Sequence, residues 1–358
     1  MWSRRLLVPA VGLAVLGAGG VVPGEASVRP DAVCSPSASL LGFSDALDKR
    51  QLRGTDIAGL SALGLARPDR AVALVDNIGT SPARIYDLSL RLGHGGPRVV
   101  PRDVTTLKRP DGSPYTGADF DGEGLVVEKS GRTILASSET EPSIRRFTRS
   151  DGRQSAELPV PARFRVAPAG EAARNQTFES LAATPDGRTL YAGMEGPLSP
   201  DGPRQRIIRY DGRSGRDYRP SAQYAYQTDP ALGLVELVAL RHGGLLALER
   251  GFTAGVGNTV RVYQTSTAGA ADVSDVPSLA SLPQTALKKK LLVDVVTCPP
   301  SGATAKQPQP NPLLDNIEGM ALGGHTRDGR RVLYLVSDDN GGATQTTRLY
   351  ALAVDVRG

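Results

Sequence analysis

Five stretches of this chain repeat the same short order of signals, and that repetition narrows the fold more than any other feature. Four of them carry a glutamate, a small or polar residue or two, and an apolar run: GEGLVV around Glu123, FESLAA around Glu179, VELVAL around Glu236 and IEGMAL around Glu318. A glycine turn follows each, at Gly131, Gly187, Gly243-Gly244 and Gly329. Next comes a β-rich run ending in a second acid, at Glu139, Glu195, Glu249 and Asp338, and then a run with an aromatic, Phe147, Tyr210, Tyr263 or Tyr350. A degenerate copy precedes these, with Ala58 in the place of the first acid, AVALVD ending at Asp76, and Tyr86 in the third run. Counted from that place, the copies begin at 58, 123, 179, 236 and 318, with spacings of 65, 56, 57 and 82 residues.

Units of this length, made of short strands bounded by turns, indicate an all-β chain folded as a β-propeller. Each unit is one small sheet that buries its faces only against its neighbours. The count predicts about five four-stranded blades and leaves a cryptic sixth open. RVVPRDVTTL, SAELPVPARF, YRPSAQYAYQ and KKKLLVDVV suit outer strands, which tolerate proline and charge. Few residues remain after Tyr350, so the segment from Leu40 to Leu52 is expected to supply the last outer strand and close the ring with an N-terminal strand. The propeller domain then spans 40–358, with 265–312 a loop-rich insertion on the fourth blade.

Residues 1–26 combine Arg4 and Arg5, an apolar run broken by Pro9 and glycines, and a small-residue end at Ala26, as a secretory signal peptide does. A retained anchor is the alternative. Cleavage is the better reading, which makes 27–39 an N-terminal arm and the protein secreted or extracellular. Cys34 and Cys298 are the only cysteines, and an even count in an exported chain predicts one disulfide between them.

The 42 Lys and Arg against 37 Asp and Glu are spread along the chain, with no basic run longer than Lys288–Lys290. That pattern excludes a phosphate-tracking patch and hence nucleic acid as a partner. No segment beyond the leader is apolar enough for a membrane, and a monomer is expected. His94, His242 and His325 each sit beside a glycine and lack zinc-ligand spacing. No nucleophile elbow, P-loop or dinucleotide fingerprint is present. Two channel carboxylates could serve a glycosidase, but aromatics at 5% argue against a sugar-stacking cleft.

In a propeller the innermost strands line a central channel, so acids repeated at one place on them converge on one axis. Glu123, Glu179, Glu236 and Glu318 would form a carboxylate ring, with Glu139, Glu195, Glu249 and Asp338 a further layer. Two carboxylates about 4 Å apart repel by about 4 kcal/mol at an effective dielectric constant of about 20. A cation or basic side chains must compensate, and oxygen-only ligands in an exported protein suit calcium. Structural bracing is an equally open reading, because Arg84, Arg145, Arg261 and Arg348 each sit two residues before the third-run aromatic.

At these residues the chain resembles the phytase-like family known as "esterase-like activity of phytase", secreted bacterial proteins with repeated Glu and Asp motifs. The resembling stretches are DGEGLVV, NQTFESLAATPDGRTLYAGME, LVELVALRHGGLLALERGF and DNIEGMALGGHTRDGRRVLYLVSDDN. The resemblance covers about residues 40–355 and implies a propeller whose acids serve phosphoester hydrolysis, by analogy with calcium-dependent propeller phytases. It implies Glu179, Glu318 and Arg250 as catalytic residues. Glu123, Glu139, Glu195, Glu236, Glu249, Asp338 and Asp339 would be metal ligands, with Asn316 and Asn340 as neutral helpers. A small phosphorylated substrate follows. Ala58-Gly59 departs from the pattern and leaves the ring incomplete on one side. A non-catalytic extracellular binding propeller with a structural calcium is the competing reading.

Overall fold

The computed structural model describes residues 32–76 and 79–356; the leader read from residues 1–26 lies outside them. Strands β1 (Val33–Ser35) and β2 (Ala38–Ser44) come first, and a two-stranded hairpin, β3 (Arg50–Leu52) with β4 (Thr55–Ile57), follows. Blade 1 is β5 (Leu60–Arg67), β6 (Arg70–Val75), β7 (Arg84–Gly93) and β8 (Gly96–Thr106). Blade 2 is β9 (Gly122–Val127), β10 (Thr133–Ser138), β11 (Ser143–Thr148) and β12 (Gln154–Glu157). Blade 3 is β13 (Phe178–Ala183), β14 (Thr189–Met194), β15 (Gln205–Gly212) and β16 (Tyr218–Tyr226). Blade 4 is β17 (Gly233–Ala239), β18 (Gly244–Thr253), β19 (Gly257–Ser266) and β20 (Lys289–Asp294). Blade 5 begins with β21 (Ile317–His325), β22 (Arg331–Ser337) and β23 (Leu349–Val354).

The fold is thus a five-bladed all-β propeller. Every blade is an antiparallel meander with its first strand innermost, and those first strands touch in the order β5, β9, β13, β17, β21 and back to β5. Five apolar clusters hold the ring, one at each blade–blade interface. Leu248, Val262, Leu333 and Leu352 pack between blades 4 and 5, for example, and Leu74, Ile85, Leu125 and Ile134 between blades 1 and 2. This is why strands buried on both faces read as nearly continuous apolar runs.

Ring closure uses less of the expected segment than its span suggested. β2 pairs with β23 as the fourth strand of blade 5, and β1 adds a fifth. The chain turns away after Ser44, and Arg50–Leu52 pairs with Thr55–Ile57 instead. β2 runs against the turn between β7 and β8: a Cβ on Gly42, whose φ is +137°, would lie 2.7 Å from Gly96 Cα, so both positions exclude a side chain. The disulfide forms as expected, between Cys34 on β1 and Cys298 after β20, across 264 residues of sequence. It joins the outer edges of blades 5 and 4, and closing a loop this long contributes about 2–5 kcal/mol.

The insertion after β19 is a strap across blade 3. Val273 and Leu279 pack on Ala225 of β16, while Arg206 bonds the carbonyls of Val273 and Val276 and holds a fully buried ion pair with Asp201. Among the described residues no helix is long and apolar enough to cross a membrane.

Candidate functional site

The geometry of the site begins with a β-bulge near the start of every innermost strand. Leu60 pairs with Val75 and Ala62 with Leu74, leaving Ser61 unpaired in blade 1. The same slip leaves Glu179 unpaired in blade 3, Val235 in blade 4 and Glu318 in blade 5, and falls at Glu123-Gly124 in blade 2. A bulge re-aims the side chain it carries, here toward one mouth of the channel for the three glutamates. The second layer is set by the same pairing. The residues that follow the partners of the pre-bulge positions are Asp76, Glu139, Glu195, Arg250 and Asp338. The backbone N–H groups of Asp76, Glu139, Glu195 and Asp338 donate to the carbonyls of Gly59, Asp121, Thr177 and Asn316, which confirms their equivalence.

These layers meet in a cavity of about 560 Å³. Among the described residues lining it, seven are acids (Asp76, Asp121, Glu123, Glu139, Glu179, Glu195 and Glu318) and one, Arg250, is a cation. Carboxylate oxygens of Asp76, Asp121 and Glu123 can all lie within 4.8 Å of one another, and so can those of Glu123, Glu139 and Glu179. Glu123 belongs to both groups. Arg250 Nη2 donates to Glu318 Oε1 at 2.9 Å, and Asn316 Nδ2 donates to the same oxygen at 3.0 Å. The Thr177 N–H donates to Glu139 Oε1 at 2.8 Å, and the Thr140 hydroxyl donates to Asp121 at 3.2 Å.

Burial is the main force on these acids. It pushes Asp76 up to about 10, helped by a hydrogen bond with Asp121 and by the charge of Asp338. It pushes Glu139 up to about 8 against the Thr177 N–H, with Glu195 and Asp121 adding to the rise. Glu123 is raised well above the usual carboxylate range by burial and then by Asp76 and Glu179; Glu179 is raised by burial and then by Glu195 and Glu139. Burial also raises Glu195 and Glu318, with Arg250 opposing in both cases. Asp338 rises through burial and its contact with Glu318, with which it shares a hydrogen bond. With Arg250 the one cation among the described residues lining the mouth, burial favours the protonated acids, and a divalent cation would compete with those protons.

The chain matches the family described as "Phytase-like: Esterase-like activity of phytase" over residues 55–341. It belongs to the phytase-like family. No curated protein matches it. Among solved structures it is similar to hydrazine synthase of Kuenenia stuttgartiensis, at 10% identity and TM-score 0.37, covering 80% of this chain and 77% of that one. It is also similar to the Dos1 propeller, at 9% identity and TM-score 0.37 over 84% and 69% of the two chains. A Trichoderma reesei carbohydrate-active enzyme of family AA12 is similar at 11% identity and TM-score 0.38, over 92% and 99%. At these TM-scores the likenesses carry no argument about function.

In this phytase-like propeller the site residues expected from sequence fall into two groups. Glu123, Glu139, Glu179, Glu195, Glu318 and Arg250 come together at the mouth, Asp338 packs against Glu318 beneath it, and Asn316 and Asn340 line it. Glu236, Glu249 and Asp339 do not line it. Glu236 lies one residue past the bulge, level with Ala62, Gly124, Ser180 and Gly319. At that level the inner strands nearly touch, since a Cβ on Gly124 would lie 2.5 Å from Leu181 N. The Glu236 carboxyl accepts from Leu237 N at 2.8 Å and faces the N–H groups of Leu181 and Met320, bracing blade 4 to both neighbours. Glu249 accepts from the Tyr226 hydroxyl at the end of β16 in blade 3 at 2.6 Å and from Asp229 N at 2.8 Å, and pairs with Lys289 of its own blade. Asp339 pairs with Lys49 and accepts from Gly59 N at 3.0 Å, tying blade 5 to the approach of blade 1.

Three corrections follow from the strand register. Ser61, and not Ala58, holds the first-acid place in blade 1, and its hydroxyl donates to Gly122 O at 2.7 Å. Arg250 itself fills the second-acid place in blade 4. In blades 2 and 3 the aromatic is displaced along the strand: Phe147 pairs with Ile134 and Tyr210 with Leu190, two residues farther from the second-layer end than Tyr86, Tyr263 and Tyr350, and in blade 3 Arg206 takes the arginine's place. Asp76, the second acid of the degenerate copy, and Asp121, from the DFDGEG segment that leads into Glu123, also join the site.

The far mouth of the channel, about 460 Å³, has another character. Leu65, Val127, Ala183, Val238 and Leu322, one from each blade, form an apolar collar, and Lys129, Arg241, His325, Arg330 and Arg331 stand around it. Glu128 also lines this mouth, but it is taken up by Arg146 Nε at 2.8 Å.

Proposed function

We propose that the acidic mouth is a calcium-dependent phosphoester hydrolase site acting on a small phosphorylated substrate outside the cell. The observation that carries the reading is the placement of Glu123 in two carboxylate groups at once, beside a lone arginine. Asp76, Asp121, Glu123, Glu139 and Glu179 offer hard oxygen donors of the kind calcium takes, from more than one direction. When bound, calcium would neutralise phosphoryl oxygens and lower the pKa of a water. Arg250, held by Glu318, presents a guanidinium to the same phosphoryl group and fixes its orientation. Water attacks phosphorus and the ester P–O bond breaks. The leaving oxygen takes a proton, which Glu195, raised by burial and outside both candidate ligand groups, is suited to give.

The test is phosphate release by the purified mature protein from a broad panel of phosphomonoesters, with calcium and with chelator. Calcium-dependent release lost in Glu179→Gln and Arg250→Met is the expected result, and no release from any ester overturns the proposal. One observation favours the competing binding propeller: Glu123 and Asp338 are nearly closed off from solvent, at 8% and 1% exposure, as suits an ion held for structure. If Glu179→Gln and Glu318→Gln lower only the melting temperature in calcium, that reading replaces the first.

A further inference from the structure

Blade 4 interrupts the acid pattern of the mouth, and its three contributions lie together. Arg250 and Phe252 are two residues apart on β18 and share a sheet face; Asn258 of β19 pairs directly with Phe252 and shares it too. All three line the mouth. Asn258 is 1% exposed, yet neither its Oδ1 nor its Nδ2 has a hydrogen-bond partner among the described residues. Its backbone is well fixed, since its N–H donates to Gln309 Oε1 at 2.8 Å. Arg250 gives Nη2 to Glu318, while its Nε is also unpartnered. Phe252 is 54% exposed beside them. A buried carboxamide unpaired at both ends is destabilising, and native proteins rarely carry one without a use for it.

The unpaired atoms define what could satisfy them. A phosphate or carboxylate offers acceptors alone and would leave Asn258 Oδ1 unpaired. An ammonium offers donors alone and would meet the Arg250 charge. A hydroxyl accepts and donates through one atom.

We propose that Asn258, with Arg250 and Phe252, forms a hydroxyl-recognition subsite for a sugar or polyol ring bound at the edge of the mouth. A ring hydroxyl accepts from Asn258 Nδ2 or Arg250 Nε and donates to Asn258 Oδ1, while the apolar face of the ring lies on Phe252. The phosphoester reading bears on this only through the group seated over the acids; the subsite itself requires free hydroxyls, and a ring phosphorylated at every position would not satisfy it.

Isothermal titration in calcium decides the matter, with glucose 6-phosphate, cyclohexyl phosphate, glucose and a neutral dipeptide as probes. The wild type is expected to bind glucose 6-phosphate at least about tenfold more tightly than cyclohexyl phosphate, because a site built for a hydroxyl rejects an analogue without one. Asn258→Leu should bring the two within about twofold, and Asn258→Ser should keep part of the preference. The melting temperature of ligand-free Asn258→Leu should match or exceed that of the wild type, which shows an intact fold. If neither phosphate binds, the phosphoester reading fails and glucose alone judges the subsite: binding lost in Asn258→Leu sustains it. Equal binding of the two phosphates by the wild type overturns the proposal. So does a preference that survives Asn258→Leu, glucose binding that is absent or indifferent to Asn258 where the phosphates fail, or Asn258-dependent binding of the dipeptide alone.

Discussion

Among the described residues, seven acids face a single arginine at one mouth of the channel; at the other, Lys129, Arg241 and His325 stand exposed around an apolar collar. The same five strands build both. The difference lies in where they are bulged, because the slip near each strand's start turns a side chain toward the axis and removes it from solvent. Exposed cations at the far mouth stay hydrated and demand little. Buried carboxyls at the near mouth must hold protons or share a cation. Charge alone therefore does not distinguish the two ends; desolvation does.

The strongest way to break this comparison is Glu123→Gln, which removes the carboxylate common to both candidate ligand groups. Calcium affinity, read by titration calorimetry, is expected to fall by more than about 100-fold, beyond the range seen for groups that merely orient ligands. Unchanged affinity would show that the mouth holds no calcium. Next in size is Arg250→Met, which leaves Glu318 without its guanidinium. The calcium-free protein should lose about 3 kcal/mol at pH 8 by chemical denaturation, and less as pH falls and protonation relieves the uncompensated Glu318 charge.

The pH profile sharpens the contrast further. Carboxyls whose folded pKa is raised leave the unfolded state with fewer protons at intermediate pH. Without calcium, stability should therefore fall as pH rises from the ordinary carboxylate range through about 8 for Glu139 and toward 10 for Asp76. Calcium affinity should rise over the same window, as the competing protons leave. A flat melting-temperature profile in chelator would contradict the burial described for these acids. The smallest effect belongs to the far mouth. Lys129→Ala with Arg241→Ala should change stability by less than about 0.5 kcal/mol and calcium affinity by less than about twofold, since both groups are exposed and screened.

Most of the architecture was legible in the sequence. Five copies of one signal order gave five blades, the shortage of residues after Tyr350 required an N-terminal strand, and two cysteines in an exported-looking chain gave the disulfide. Blade 4 was the place where reading failed, and the reason is physical. A bulge shifts alternation by one residue, so VELVAL and LLALE carry acids at the expected spacing but on the wrong side of the strand. Glu236 and Glu249 became braces, while Val235 and Arg250 took the ring positions. Pairing partners alone reveal such a slip, because the local string is as regular as its neighbours. Asn258 left no trace in the sequence either; its meaning comes from the hydrogen bonds it does not make.

The seam of the ring sets an order of events in time. β2, paired on one edge with β1, finds its other partner in β23, some three hundred residues later, and Cys34 finds its own at Cys298. A chain made from its N-terminus must keep its opening hairpin waiting, with one edge of β2 bare, until nearly everything else has emerged. Blades 1 to 4 can form as each hairpin becomes available, but the circle is completed last, by its earliest piece. Until then the protein is an open arc with two bare edges, and oxidation of the cysteines records the moment it becomes a ring.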